Sequence, residues 1–141
     1  MLSMKKKTLV LYLSVVIILL SFIYRNDISI VYKSLSYKSE IDYAKSCIEL
    51  LSEGNENKLR RIFIDNARFF SHPEYIKETS QFLKEIKIED LRLKRLSSSK
   101  EDAKDLMFLD FYSKNSSGIK NIRLKIIRQS NGWFLYSLML G

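Results

Sequence analysis

The chain passes from one hydrophobic pattern to another along its length. Residues 8–24, Thr-Leu-Val-Leu-Tyr-Leu-Ser-Val-Val-Ile-Ile-Leu-Leu-Ser-Phe-Ile-Tyr, hold seventeen positions without a charge. Leu9, Val10, Leu11, Leu13, Val15, Val16, Ile17, Ile18, Leu19, Leu20, Phe22 and Ile23 supply the apolar surface, and together they encircle a helix instead of forming one stripe. At ~1.5 Å per residue that helix is ~25 Å long, near the lower limit for crossing a bilayer core. Residues 25–38 are polar and aromatic, a connector that can continue the helix and place Tyr32 and Tyr37 at a membrane interface. From Ser39, a plausible N-cap, Ile41, Ala44, Cys47, Ile48 and Leu51 recur at helical spacing until Gly54 stops them. Leu59, Ile62 and Phe63 predict a shorter second helix. Ser71-His72-Pro73 opens a third, with Tyr75, Ile76, Thr79, Phe82, Leu83 and Ile86 spaced by threes and fours.

Beyond residue 90 the period becomes two. Leu91 and Leu93 alternate with Arg92 and Lys94, Leu-Met-Phe-Leu-Asp-Phe-Tyr fills 106–112, Ile122, Leu124 and Ile126 alternate with Arg123 and Lys125, and Trp-Phe-Leu-Tyr-Ser-Leu-Met-Leu fills 133–140. Lys-Asn-Ser-Ser-Gly at 114–118 and Gln-Ser-Asn-Gly at 129–132 supply turn chemistry between them. Helices first and an antiparallel meander afterwards predict an α+β fold: an N-terminal transmembrane helix, then three helices packed on a curved antiparallel sheet of about four strands. The expected organisation is a cytoplasmic basic tail (1–7), a signal anchor (8–24), a connector (25–38) and one extracytoplasmic cone-like domain (39–141).

Charge sets the orientation. Lys5, Lys6 and Lys7 precede the apolar run and only an Arg-Asn-Asp sequence follows it, so the N-terminus is expected in the cytoplasm and the domain outside, as at a bacterial inner membrane. A cleaved secretory signal needs small residues after the run, where Phe22, Ile23, Tyr24 and Arg25 stand; a lipoprotein signal needs a cysteine there. A membrane anchor is the expectation, ahead of a cleaved signal and of a buried core helix. Twenty-one basic and sixteen acidic residues follow the anchor, a net charge of +5. That is moderate, suited to anionic head groups or an acidic protein surface and sparse for a nucleic-acid binder. One cysteine and one histidine exclude a zinc finger and any internal disulfide. Cys47, on an apolar helix face, reads as a buried small hydrophobe.

The helix Ala44-Lys-Ser-Cys-Ile-Glu-Leu-Leu-Ser-Glu-Gly54-Asn, two further helices and a last strand entered through Ser-Asn-Gly-Trp133-Phe-Leu resemble the nuclear-transport-factor-2-like, or cystatin-like cone, superfamily over about residues 40–141. With its N-terminal anchor the chain is similar to small bitopic members of unassigned function, and more weakly to the membrane-anchored assembly subunit of type IV secretion machines. That subunit carries an Asn-Pro motif which this chain lacks. The resemblance implies a cone that in some members hosts an aspartate base and a tyrosine donor, and Asp110 with Tyr112 or Tyr136 are the residues matching those types. Read from the residues alone, Asp110 marks the solvent edge of a strand face or pairs with Arg123 or Lys125. His72 reads as a helix-entry residue, and the four glycines form no phosphate loop.

The expected function is therefore a non-enzymatic, membrane-anchored interaction module of an envelope assembly such as a secretion or conjugation machine. No cofactor or metal is expected. Arg92, Lys94, Arg123 and Lys125 are the candidate basic interaction face, if they project from one side of the sheet. Expected partners are the membrane, crossed once, and envelope proteins or a second copy meeting the open sheet face; nucleic acid is not expected. The alternative is a tethered cone that binds a lipid or small molecule in an apolar pocket.

Overall fold

A computed structural model describes residues 2–23, 25–64, 67–102, 104–115 and 118–141. Tyr24, at the end of the apolar run, and Ser116 and Ser117 of the expected turn lie outside the described residues. Six helices, α1 (Leu2–Ile23), α2 (Arg25–Ser36), α3 (Lys38–Glu53), α4 (Glu56–Ile62), α5 (Ala67–Ser71) and α6 (Pro73–Lys84), are followed by a 3-10 turn (Ile88–Asp90). Four strands come next, β1 (Arg92–Glu101), β2 (Lys104–Asn115), β3 (Gly118–Gln129) and β4 (Gly132–Leu140). They pair antiparallel in chain order, β1-β2-β3-β4. The fold is α+β, as the change of period predicts.

Alternation decides which sheet face is covered. Met107, Leu109 and Phe111 of β2 lie opposite Ile126, Leu124 and Ile122 of β3, and all six are buried with Ile41, Ala44, Cys47, Ile48 and Leu51 of α3 and Leu83 of α6 in one cluster. Directly opposed residues share a face, so this row is the floor on which the helices sit. The intervening row, with Phe108, Asp110, Arg123 and Lys125, faces away from them.

Two helix ends explain how α3 and α6 meet. Gly54 adopts φ +71°, and its N–H donates to the Leu50 carbonyl at 3.3 Å, the left-handed stop the sequence predicts. The Ser80 hydroxyl of α6 donates to the Ser52 carbonyl at 2.7 Å, tying the two helices just there. A Cβ on Gly54 would lie 3.2 Å from both Cβ and Oγ of Ser80. Gly54→Ala is therefore expected to cost about 1–2 kcal/mol from the backbone conformation alone, read as a lower urea midpoint; an unshifted midpoint would show that α3 ends without needing this conformation. Pro73 occupies the first position of α6 behind His72 at the N-cap, as expected.

Several expectations are corrected. Five helices, not three, follow α1 among the described residues: the connector is itself α2, and α5, five residues long, is too short to show a period. Ser39 does not cap α3, which starts at Lys38 with Tyr37 at the cap, and the Ser39 hydroxyl donates to Glu40 Oε2 at 3.0 Å instead. The β3–β4 turn, by contrast, falls at Gln129–Gly132 as expected, with Ser130 and Asn131 between the paired ends and the positive φ on Gly132 (+124°).

Along α1, the apolar side chains from Leu9 to Phe22, other than half-buried Val16, stand 47–77% exposed. The expected transmembrane span is not supported: among the described residues, no helix is long and apolar enough to cross a membrane. Lys5, Lys6 and Lys7 occupy its first part. A buried core helix, the third alternative for this segment, is excluded by the exposure.

Candidate functional site

The uncovered sheet face gathers the polar side chains singled out in the sequence. Asp110 lies opposite Arg123 in the register, and the guanidinium donates to it twice, Nε to Oδ1 at 2.7 Å and Nη2 to Oδ2 at 3.0 Å. The carboxylate beside it stabilises the Arg123 charge and raises the pKa of the guanidinium further. Asp110 is thus held as the partner of an arginine. Lys125 bridges to Glu101 at 3.5 Å and lies over the rings of Tyr136 (4.5 Å) and Phe108 (5.3 Å).

Of the four basic residues expected on this face, Arg92, Arg123 and Lys125 fall in its row, and Lys94 lines a groove of about 230 Å³ with Asp110 and Arg123. Arg92 lies opposite Tyr112, in the same row as Asp110. Lys94 falls in a register shift between Leu93 and Arg95, and this bulge adds Arg95, opposite Asp110, to the face beside it. Sequence reading groups Arg95 with these residues but leaves it off the face, because a bulge leaves no mark on a period-two pattern; the run Leu-Lys-Arg-Leu at 93–96, with two charges between leucines, was the available signal. Arg95, Ser97, Phe108, Lys125 and Ser137 line a groove of about 500 Å³ across the face. Its chemistry is cationic with an aromatic floor.

Among the described residues, one cluster of buried apolar side chains packs the space under the helices. Ala44, Leu59, Leu109, Leu124, Ile126 and Leu135 are completely buried. Cys47 is buried among them as an unpaired thiol, 1% exposed. Burial pushes this thiol up to about 11 and holds the neighbouring Tyr43 phenol well above its ordinary range. The folded pKa exceeds the unfolded value of ~8.5, so the contribution to stability is complete below the unfolded value and is lost as pH rises through about 11. Ellman's reagent is expected to leave Cys47 unlabelled in the native protein near neutral pH and to label it in urea; rapid native labelling would contradict the packing of α3. His72 stands at the entry to α6, its Nδ1 3.3 Å from Glu74 Oε1.

A second groove, of about 400 Å³, opens at the rim between α5, α6 and β4, where Phe69, Tyr75 and Phe82 face Leu138 and Leu140.

No family model and no curated protein matches the chain. Among solved structures it is similar to a designed nuclear-transport-factor-2-like protein titled Rd1NTF2_05, in a form carrying five substitutions. The two are 13% identical over 75% of this chain and 99% of the other, with a TM-score of 0.46.

Proposed function

We propose that the protein is a membrane-anchored, non-catalytic interaction module whose cone-like domain lies outside the cytoplasm and presents its open sheet face to protein partners of an envelope assembly. The observation that carries this reading is the combination of a helix apolar on all sides with a domain whose own core is complete without it. More than ten large apolar side chains of α1 are exposed. At ~25 cal/mol per Å², apolar surface on that scale is unfavourable in water and favourable in lipid. The uncharged run reaches seventeen residues in the sequence, about the minimum for a span, and the stems of Lys5, Lys6 and Lys7 extend it by lying along lipid with their ammonium groups at the head-group level. Those lysines favour a cytoplasmic N-terminus.

A face with Arg92, Arg95, Arg123 and Lys125, against Asp110 and Glu101, suits an acidic protein surface. Tethering restricts such encounters to two dimensions and raises effective concentration, so a modest interface suffices. A catalytic role for Asp110 has no support from its bidentate partner. The order of elements, with α3 stopped at Gly54 and β4 entered through Gly132 and Trp133, supports the cone resemblance.

Cell fractionation tests the reading. The full chain is expected to remain in the membrane pellet after alkaline carbonate extraction and to be digested by protease added to spheroplasts. Release by carbonate, or full protection from protease, would overturn it.

A further inference from the structure

β4 is an edge strand whose two halves differ. Near its start the edge is covered: the Ile64 N–H donates to the Leu135 carbonyl at 3.0 Å, beside a parallel bridge between Phe63 and Leu135. Further on, Gly141 and Asn121 exchange both backbone bonds, at 2.8 and 3.0 Å. Antiparallel pairing alternates from there, so Met139 and Ser137 bond inward to Arg123 and Lys125. The N–H and C=O groups of Leu138 and Leu140 therefore point out of the sheet.

Natural edges are guarded by charge, proline or a cover. β1, the opposite edge, carries Arg92, Lys94, Arg95, Lys100 and Glu101 and has its Leu96 carbonyl held by Lys33 Nζ of α2 at 3.0 Å. β4, Gly-Trp-Phe-Leu-Tyr-Ser-Leu-Met-Leu, has neither charge nor proline.

We propose that a second copy of the chain docks on this edge, β4 against β4, antiparallel about a two-fold axis through Met139. Hydrogen-bond phase fixes the register. Outward-pointing residues pair only with outward-pointing residues, and Leu138 opposite Leu140 of the second copy meets that condition on both sides of the axis at once. Opposed residues share a face, so each leucine of the second copy enters the groove that Phe69, Tyr75 and Phe82 form beside Leu138 and Leu140. The groove, bordered also by Glu78 and Thr79, takes apolar side chains at alternate positions beside its aromatic rings, and β4 is such a segment. Between the leucines the two Met139 side chains meet on the open face, where their neutrality avoids like charges beside Arg123 and Lys125. The two four-stranded sheets join into one. This contact uses the edge and the Met139 border of the basic face, leaving Arg92 and Arg95 on the far side of the sheet free for other partners.

Met139 is 63% exposed within one copy and tolerates replacement. As the non-hydrogen-bonded pair on the axis, the two Met139 Cα atoms stand ~4.5 Å apart, within disulfide range. The test is oxidative cross-linking of the full chain in mild detergent. The Met139→Cys variant is expected to form a covalent dimer about tenfold faster than an Ile119→Cys control, because docking raises its effective concentration; Ile119, 59% exposed, lies beside the β2–β3 turn. Met139→Lys, with an unchanged circular dichroism spectrum, is expected to lose the dimer in sedimentation. Equal cross-linking of the two cysteine variants, no dimer in either, or a dimer that survives Met139→Lys would each overturn the proposal. None of these readouts depends on where in the cell the chain resides, so they fail or succeed apart from membrane anchoring.

Discussion

Truncating Phe111 to alanine is expected to destabilise the domain by about 3–5 kcal/mol, the range for a large aromatic removed from a core that cannot collapse around the loss. Phe111 is 1% exposed at the middle of the sheet, opposite Leu93 on one side and Ile122 on the other. Its neighbours are fixed in backbone ladders, so the cavity persists. Against a typical total of about 5–15 kcal/mol, such a loss takes a large share of the stability and lowers the urea midpoint accordingly. Tyr112, one residue on and on the other face, is a control expected to cost much less when changed to phenylalanine. A change below about 1 kcal/mol at Phe111 would mean that the helices do not cover this face.

Placing two arginines in α1, as Leu13→Arg with Ile17→Arg, is expected to move the protein out of the membrane fraction. Each arginine near a helix centre costs ~2.5–3.5 kcal/mol on insertion scales, and the two together exceed what a run of minimal length can offset. Leu13 and Ile17 are one turn apart and both exposed, so neither change disturbs the domain core. The conservative pair Leu13→Ile with Ile17→Leu should stay in the pellet. Retention of the arginine variant in carbonate-washed membranes would mean that another part of the protein holds it there.

Both experiments probe features legible in the sequence. The alternation at Ile122, Leu124 and Ile126 and the apolar run at 106–112 have one explanation, strands with a buried face, and the register pairs them as neighbours. The stripe from Ile41 to Leu51 names the buried face of α3 residue by residue, because a helix that covers a sheet must repeat its apolar positions every three to four residues. Gly54 and Pro73 mark ends that only their backbone preferences explain. Less was legible where local pattern yields to tertiary contact. α2 has its outward Val31, Tyr32 and Leu35 exposed and is fixed partly by the Lys33 bond to β1, a contact 63 residues away in the chain. The bulge at Lys94 admitted Arg95 to the basic face, since one extra residue in a strand reverses the side on which a later residue falls. The pairing of Asp110 with Arg123 could be named as one of two options from the sequence; the register chose between them. The rim groove joins α5, α6 and the far end of β4, and no period in the sequence relates those segments.

On the proposed function, the tethered domain works by holding other proteins. Affinity purification of the full chain in mild detergent, followed by mass spectrometry for both proteins and lipids, tests it most directly. A reproducible set of envelope proteins is expected, reduced when Arg92 and Arg95 are both changed to glutamate. Recovery of no partner protein, with a lipid or metabolite carried in stoichiometric amount, would contradict it and make the protein a tethered binding cone.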